Sequence, residues 1–228
     1  MQGFGSTRSL SRALAALTLG VLATAATARP VTLAGSAARA PGSIQLTNGM
    51  AVGAAAGAAW RTEPVSLDRS FTVNFTFSMT TAAAPLADGI AMVIETNGIN
   101  AVGDGGGCIG VCGLNAVASV VQTYFNNHVG LTLDANPYDA PSSPVSLSGT
   151  LRLDGREAVH WDATNHVLSM TGTLRGDDGR TVDVSDSRSV DLVSLLGQTR
   201  VSVGFTGGTG DVQADQRITS FELVFDRP

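Results

Sequence analysis

Residues 70–80 read SFTVNFTFSMT, in which Phe71, Val73, Phe75, Phe77 and Met79 alternate with mostly polar side chains. Successive side chains of an extended chain point to opposite faces, so this stretch predicts a strand with one face buried. The same short, β-type runs recur on both sides of it. They cover 89–96 (GIAMVIET), 118–125, 128–133, 145–153, 158–173, 181–184, 200–206 (RVSVGFT) and 218–225 (ITSFELVF). Asp162, Ala163, Thr164 and Asn165 read as the turn of a hairpin inside 158–173. Only 190–197 (VDLVSLLG) suggests a helical turn. Many strands without long helical patterns between them predict an all-β sandwich or jelly roll.

A chain of 228 residues with 43% hydrophobic and 14% charged residues can bury one sizeable core. One domain over 43–228 is expected, preceded by a loose extension at 29–42. Residues 1–28 read as an export signal. Arg8 and Arg12 precede an uncharged apolar stretch at 13–27, and Ala26, Thr27 and Ala28 fit a small-x-small cleavage pattern. A second candidate cleavage region lies at 34–40. The stretch is Ala/Thr-rich and short for a spanning helix, so a secreted chain is expected rather than an anchored one. After cleavage the chain keeps 12 Arg against 19 Asp and Glu, a net charge of −7. Nucleic acid and anionic membranes both require a basic face, and that balance argues against them as partners. Cys108 and Cys112 stand in GGGCIGVCG. Export favours a disulfide, which Gly110 permits by letting the chain turn back, while free thiols or half a metal site are the alternatives.

Four polar or Gly-rich segments fall at strand ends, where a sandwich displays binding groups. They are 87–89 (ADG), 103–107 (GDGGG), 122–128 (QTYFNNH) and 207–211 (GGTGD). Sugar recognition calls for a carboxylate, an amide, exposed backbone N–H groups and an aromatic face. Asp88, Asn126, the glycine backbones and Tyr124 supply these, although each segment alone is also an ordinary turn.

Seven segments in order resemble the legume-type (L-type), concanavalin-like lectin family. They are LTNG at 46–49 with GAAW at 57–60, the 70–80 strand, ADGIAMVIE at 87–95, and GGGCIG at 105–110. TYFN at 123–126 with HVGL at 128–131, VHWDATNHVLSM at 159–170, and the closing run from VDLVSLLG through VSVGFTGGTG to ITSFEL complete them. The resemblance implies a jelly-roll β-sandwich of antiparallel sheets that binds a monosaccharide in a shallow site. It implies an Asp88 preceded by a cis peptide, the backbone N–H of Gly107, the amide of Asn126 and the ring of Tyr124. Asp211 and Val212 would lie in the loop that tunes specificity.

The family also holds paired metals with an E-x-D strand, the Asn, a later Asp and a His. Here those strand positions are Val120, Val121 and Gln122, and only Asn127 separates Asn126 from His128. The remnant Asn126, His128 and Tyr124 carbonyl contains no carboxylate, whereas hard cations want several anionic oxygens. No tight two-metal site is therefore expected. A weak Ca²⁺ site borrowing Asp104 or Asp134 is the alternative, and Gln122 bridging the loops is a cation-free substitute. His128 reads equally as a hydrogen-bonded residue at a strand start, and Trp60 and Trp161 as packing. Asn74 opens a glycosylation sequon within a strand and is read as incidental.

The function expected is non-catalytic binding of glycans of mannose or glucose type, with a homo-oligomer left open. A lectin fold kept as a structural or adhesive surface is the second reading. A glycoside hydrolase is the third, but it needs two facing carboxylates, and Glu63, Glu95, Glu157 and Glu222 form no such motif.

Overall fold

A computed structural model describes residues 30–50, 53–124, 127–142, 147 and 149–227. The expected signal at 1–28 and Asn126 lie outside the described residues. In chain order the strands are β1 (Val31–Gly35), β2 (Ala38–Ala40), β3 (Ser43–Asn48), β4 (Ala55–Arg61), β5 (Val65–Ser66), β6 (Phe71–Thr80) and β7 (Gly89–Glu95). They continue as β8 (Ala116–Gln122), β9 (Val129–Thr132), β10 (Arg152–Asp162), β11 (Val167–Gly176), β12 (Thr181–Ser189), β13 (Arg200–Thr209) and β14 (Asp215–Phe225). Two antiparallel sheets result. The first runs β1-β4-β13-β7-β8-β9, with β5 also pairing β13, and the second runs β12-β11-β10-β6-β14-β3-β2. No described helix is long and apolar enough to cross a membrane.

The second sheet obeys the period-two rule. Along β6, Phe71, Val73, Phe75, Phe77 and Met79 are buried while Asn74 is exposed on the outer face. In β14 a bulge between Ile218 and Ser220 shifts the register. The extra residue lets Phe221, Leu223 and Phe225 turn inward with Ile218. Phe205 then bridges the layers, 5.1 Å from Phe75 and 5.3 Å from Phe221 between ring centroids. Gly155 stands opposite Phe77, and a Cβ at Gly155 would overlap the Phe77 ring. Gly155→Ala is expected to lower stability by about 1–3 kcal/mol through overpacking, read as a lower urea midpoint. An unchanged midpoint would contradict this packing.

The first sheet does not alternate. Every residue of β7 and β8 is buried, because a third layer covers the sheet's outer side. Ile109, Val111, Ala135 and Ala140 from that layer pack on Trp60, Ala91, Val93, Ala118 and Val120. A sheet covered on both faces reads as a continuous apolar run. Trp60 and Trp161 are core residues, and their indole N–H groups donate to Ala101 and Leu67 carbonyls at 2.8 and 2.9 Å.

Three expectations differ from the structure. The loose extension at 29–42 is instead largely sheet: β1 pairs with β4 and β2 with β3. These short strands of Val, Leu, Ala and Gly gain their hydrogen bonds from neighbours, which no local pattern reveals. The 158–173 hairpin is longer, spanning β10 and β11, with its turn shifted to 163–166 and His166 at φ 55°. The run at 145–153 becomes strand only from Arg152, part of it lying outside the described residues. The helical turn is present as α1 (Leu192–Leu196), capped by Asp191 and closed by Gly197 at φ 73°.

Candidate functional site

In the order β13-β7-β8 the strands are antiparallel neighbours, so the end of β13, the start of β7 and the end of β8 meet at one edge. Gly208 pairs with Gly89, and Gly89 with Gln122. This brings the ADG, GGTGD and QTY segments together. The Gly-rich segment joins them from the third layer. Its single-turn helix at Gly106–Cys108 packs on β13 so closely that a Cβ at Gly208 would stand 2.8 Å from Ile109 Cα.

Asp88 lies at the centre and is only 3% exposed. The Ala87–Asp88 peptide is cis, as the resemblance implies. Its surroundings are held by hydrogen bonds from three strands. The Asp88 N–H donates to Gly208 O at 3.1 Å, and the Thr123 N–H donates to Asp88 O at 2.8 Å. The Thr123 hydroxyl donates to Leu86 O at 2.8 Å. From the core side, Gln216 of β14 donates to Gly208 O at 2.8 Å and to Ala87 O at 3.3 Å.

The carboxylate itself is incompletely partnered. Asp88 Oδ2 is buried and accepts no hydrogen bond among the described residues. Burial raises the Asp88 pKa to about 6; the Gly210 backbone N–H opposes that shift and the nearby Asp211 charge adds to it. Gly210 and Gly106 form the adjoining wall, since a Cβ at Gly210 would stand 3.3 Å from Asp88 Oδ2 and 3.5 Å from Gly106 Cα. A side chain at Gly210 would crowd Asp88 Oδ2.

Gly107, one residue further on, meets the remaining segments. Its carbonyl accepts from Gln122 Nε2 at 2.7 Å. A Cβ at Gly107 would collide with the hydroxyl of Tyr138, whose side chain is 49% exposed. Tyr138 belongs to a single helical turn at Pro137–Asp139 capped by Asn136. Tyr124 is half-buried directly after Thr123, Asp211 is exposed and Val212 half-buried at the end of the GGTGD segment. The structure thus brings Asp88, Gly107 and Asp211 into one region. Gly106, Gly210, Gln216 and Tyr138 are site residues that the sequence does not single out. Gly106 and Gly210 lay inside quoted loops, while Gln216 and Tyr138 carry no local signal.

Cys108 and Cys112 form a disulfide with Cα atoms 5.3 Å apart. Gly103 N–H donates to Gly110 O and Asp104 N–H to Cys112 O, so the loop carrying Gly107 is closed on itself.

The described residues do not fit the paired metals that the resemblance implies. Val120 is packed in the apolar layer, and Gln122, whose Nε2 donates to Gly107 O, offers only a neutral amide oxygen where the family has a carboxylate. His128 Nδ1 donates to Ala140 O at 2.7 Å. Asp134 accepts from Thr132 Oγ1 and Asn136 N within its own turn. Among the described residues no three His, Cys, Asp or Glu side chains gather as a metal-holding group. The glutamates lie elsewhere. Glu63 pairs with Arg61, Glu95 ends β7 away from Gly89, Glu157 is in the core and Glu222 is on the outer face of β14.

Comparison with known proteins agrees with this architecture. The legume lectin domain profile matches residues 22–227. Lectin-4 of Griffonia simplicifolia is 31% identical over 208 residues, covering 79% of this chain and 83% of that protein. The structure of the lectin from Bauhinia forficata in complex with GalNAc has a TM-score of 0.72 at 23% identity, over 88% of this chain and 94% of its own. That of metal-free lectin I-B4 from Griffonia simplicifolia scores 0.71 at 22% identity, over 86% and 93%. The two structures speak for the fold, and the profile with Lectin-4 for the kinship: the chain belongs to the legume lectin family of carbohydrate-binding proteins.

Proposed function

We propose that the protein binds a hexopyranose of a glycan over Asp88, without catalysing its cleavage and without a divalent cation. The observation that carries this reading is the buried Asp88 Oδ2, without a partner among the described residues, beside Gly106 and Gly210. A buried anionic oxygen without a donor is costly, and sugar hydroxyls are donors of suitable size for a glycine-lined approach. The Gly107 backbone and the residues around Asp211 and Val212 complete the contact surface. Asn126 and Tyr124 add the amide and ring by their places in the family motif.

The absence of a cation from this reading rests on the donors that replace it. Gln122, Thr123 and Gln216 tie the loops together with neutral hydrogen bonds. Mannose and glucose are the sugars first proposed. Galactose and N-acetylgalactosamine are the competing arms, because the Bauhinia lectin structure holds the latter.

The test is a glycan array probed with the chain lacking residues 1–28, with and without EDTA, beside Asp88→Ala. Binding should survive EDTA and fall by roughly a hundredfold or more in the variant, since hydrogen bonds to a charged acceptor contribute about 1.5–3 kcal/mol each. Silence on every glycan would sink the proposal in favour of a non-binding scaffold. Export is proposed with it: a chain secreted by its host should begin near Arg29 on N-terminal sequencing, and retention of residues 1–28 would contradict that.

A further inference from the structure

We infer that Gln122, His128 and Tyr138 form a side-chain brace that fixes the Gly107 main chain without a cation, and that Tyr138 is its positioning residue. The inference rests on the sugar-binding reading for its purpose, but not for its geometry. The brace closes through four segments. Gln122, at the end of β8, donates its side-chain N–H to Gly107 O at 2.7 Å and its backbone N–H to His128 O at 2.8 Å. His128 donates from Nδ1 to Ala140 O at 2.7 Å and bridges to Ser142, which pins the start of β9 to the turn carrying Tyr138. The Tyr138 ring meets the His128 ring edge-on, with centroids 5.9 Å apart and an interplanar angle of 84°. Its N–H is held by Asn136 Oδ1 at 3.2 Å, and its hydroxyl reaches back to lie against Gly107.

Gly107 is therefore held from two directions, by a hydrogen bond to its carbonyl and by a hydroxyl against its Cα. His128 links the two holds, and both come from residues outside the loop. A ligand-facing backbone N–H gains affinity when its orientation is fixed before binding, because the ordering cost is already met. Tyr138 is partly open to solvent, so truncating it does not hollow the core. Gln122→Met keeps the side chain's length and removes the amide, of which only the N–H makes a hydrogen bond among the described residues.

Hydrogen exchange followed by mass spectrometry over residues 105–110 tests the brace without any sugar. The probes are wild type, Tyr138→Ala, Tyr138→Phe and Gln122→Met, each with EDTA and with added Ca²⁺ and Mn²⁺. Exchange should be slow in the wild type and unchanged by EDTA or by either metal. It should quicken at least tenfold in Tyr138→Ala and Gln122→Met while the melting temperature stays within a few degrees of wild type. Tyr138→Phe, which keeps the ring against His128 but lacks the hydroxyl, should fall between. Unaltered exchange in the variants, or slower wild-type exchange on adding metal, overturns the inference. Glycan affinity measured on the same proteins separates the two ideas. Faster loop exchange with no glycan bound by the wild type keeps the brace and removes the sugar reading. Glycan binding with unaltered exchange does the reverse.

Discussion

Lowering the pH from 7 to 5 is expected to weaken glycan binding about tenfold in the wild type, with no such change in Asp88→Asn. Burial is the first cause: it disfavours the ionised carboxylate and lifts the Asp88 pKa to about 6, with Asp211 adding repulsion and the Gly210 N–H working the other way. Sugar hydroxyls donate to the ionised form, so only that fraction is competent. It falls from roughly nine-tenths at pH 7 to one-tenth at pH 5. The sign for stability is the opposite one. A carboxyl whose folded pKa is raised binds its proton more tightly in the native state, so its contribution is full below about pH 4 and is lost as pH rises through about 6. Ligand should therefore raise the melting temperature more at pH 7 than at pH 5. Isothermal titration at several pH values checks the affinity, and thermal melts with and without ligand check the second statement. Affinity that is flat or rises on acidification would mean that Asp88 does not meet the ligand as a carboxylate.

That titration depends on groups of different legibility. Asp88 is marked out in the sequence by the family motif around it, since an Asp-Gly segment alone is an ordinary turn. Its environment is not. Gly210 is a residue of the β13–β14 connection, and Gln216 reaches Ala87 from a strand 129 residues later. Nothing local marks such partners. Tyr138 is similar: its turn carries no local signal, and its ring lies against that of His128, which is tied to Ala140 O across the loop.

The sheets divide in the same way. The alternation in β6 was readable because its outer face meets water. In β7 and β8 the third layer erased the alternation, leaving only continuous apolar runs whose faces no period distinguishes. β1 and β2 were misread as a loose extension because edge strands borrow their order from partners. The hydrogen-bonded His128 at a strand start and the Cys108–Cys112 bridge are readable in their own segments, the cis bond before Asp88 is implied by the resemblance, and each is present. Glu157 is the instructive omission. It alternates in register with Leu153, Gly155, Val159 and Trp161, all buried, so parity alone placed its carboxyl inside the sandwich.

The consequence of that placement is the second large effect. Replacing the core pair by Ser119→Ala with Glu157→Met is expected to stabilise the protein by about 2–4 kcal/mol at pH 8 and by much less at pH 5. Glu157 is 2% exposed, between Phe75 of β6 and Gly172 of β11. A Cβ at Gly172 would stand 2.7 Å from Glu157 Cγ, so glycine makes the room the carboxyl occupies. Among the described residues its only hydrogen bond is from Ser119 Oγ to Oε2, at 2.9 Å across the sandwich, and Oε1 has none. Desolvation lifts its pKa from 4.5 to about 7, against the opposing Ser119 bond. With the folded pKa above the unfolded one, the native state is favoured by protonation. That stability is complete below about pH 4.5 and is lost as pH climbs to 7, a change of about 3 kcal/mol for a shift of this size. Burial also raises the pKa of Glu95, which acts in the same direction, so the comparison must be made against the double variant rather than on wild type alone. The variant removes both polar groups together and leaves neither unpaired. Single substitution of Ser119 would instead strand the carboxyl and destabilise the fold most at high pH. Urea unfolding at pH 5 and pH 8 reads the difference directly. A gap between wild type and double variant that is equal at the two pH values would show that Glu157 does not titrate within the core.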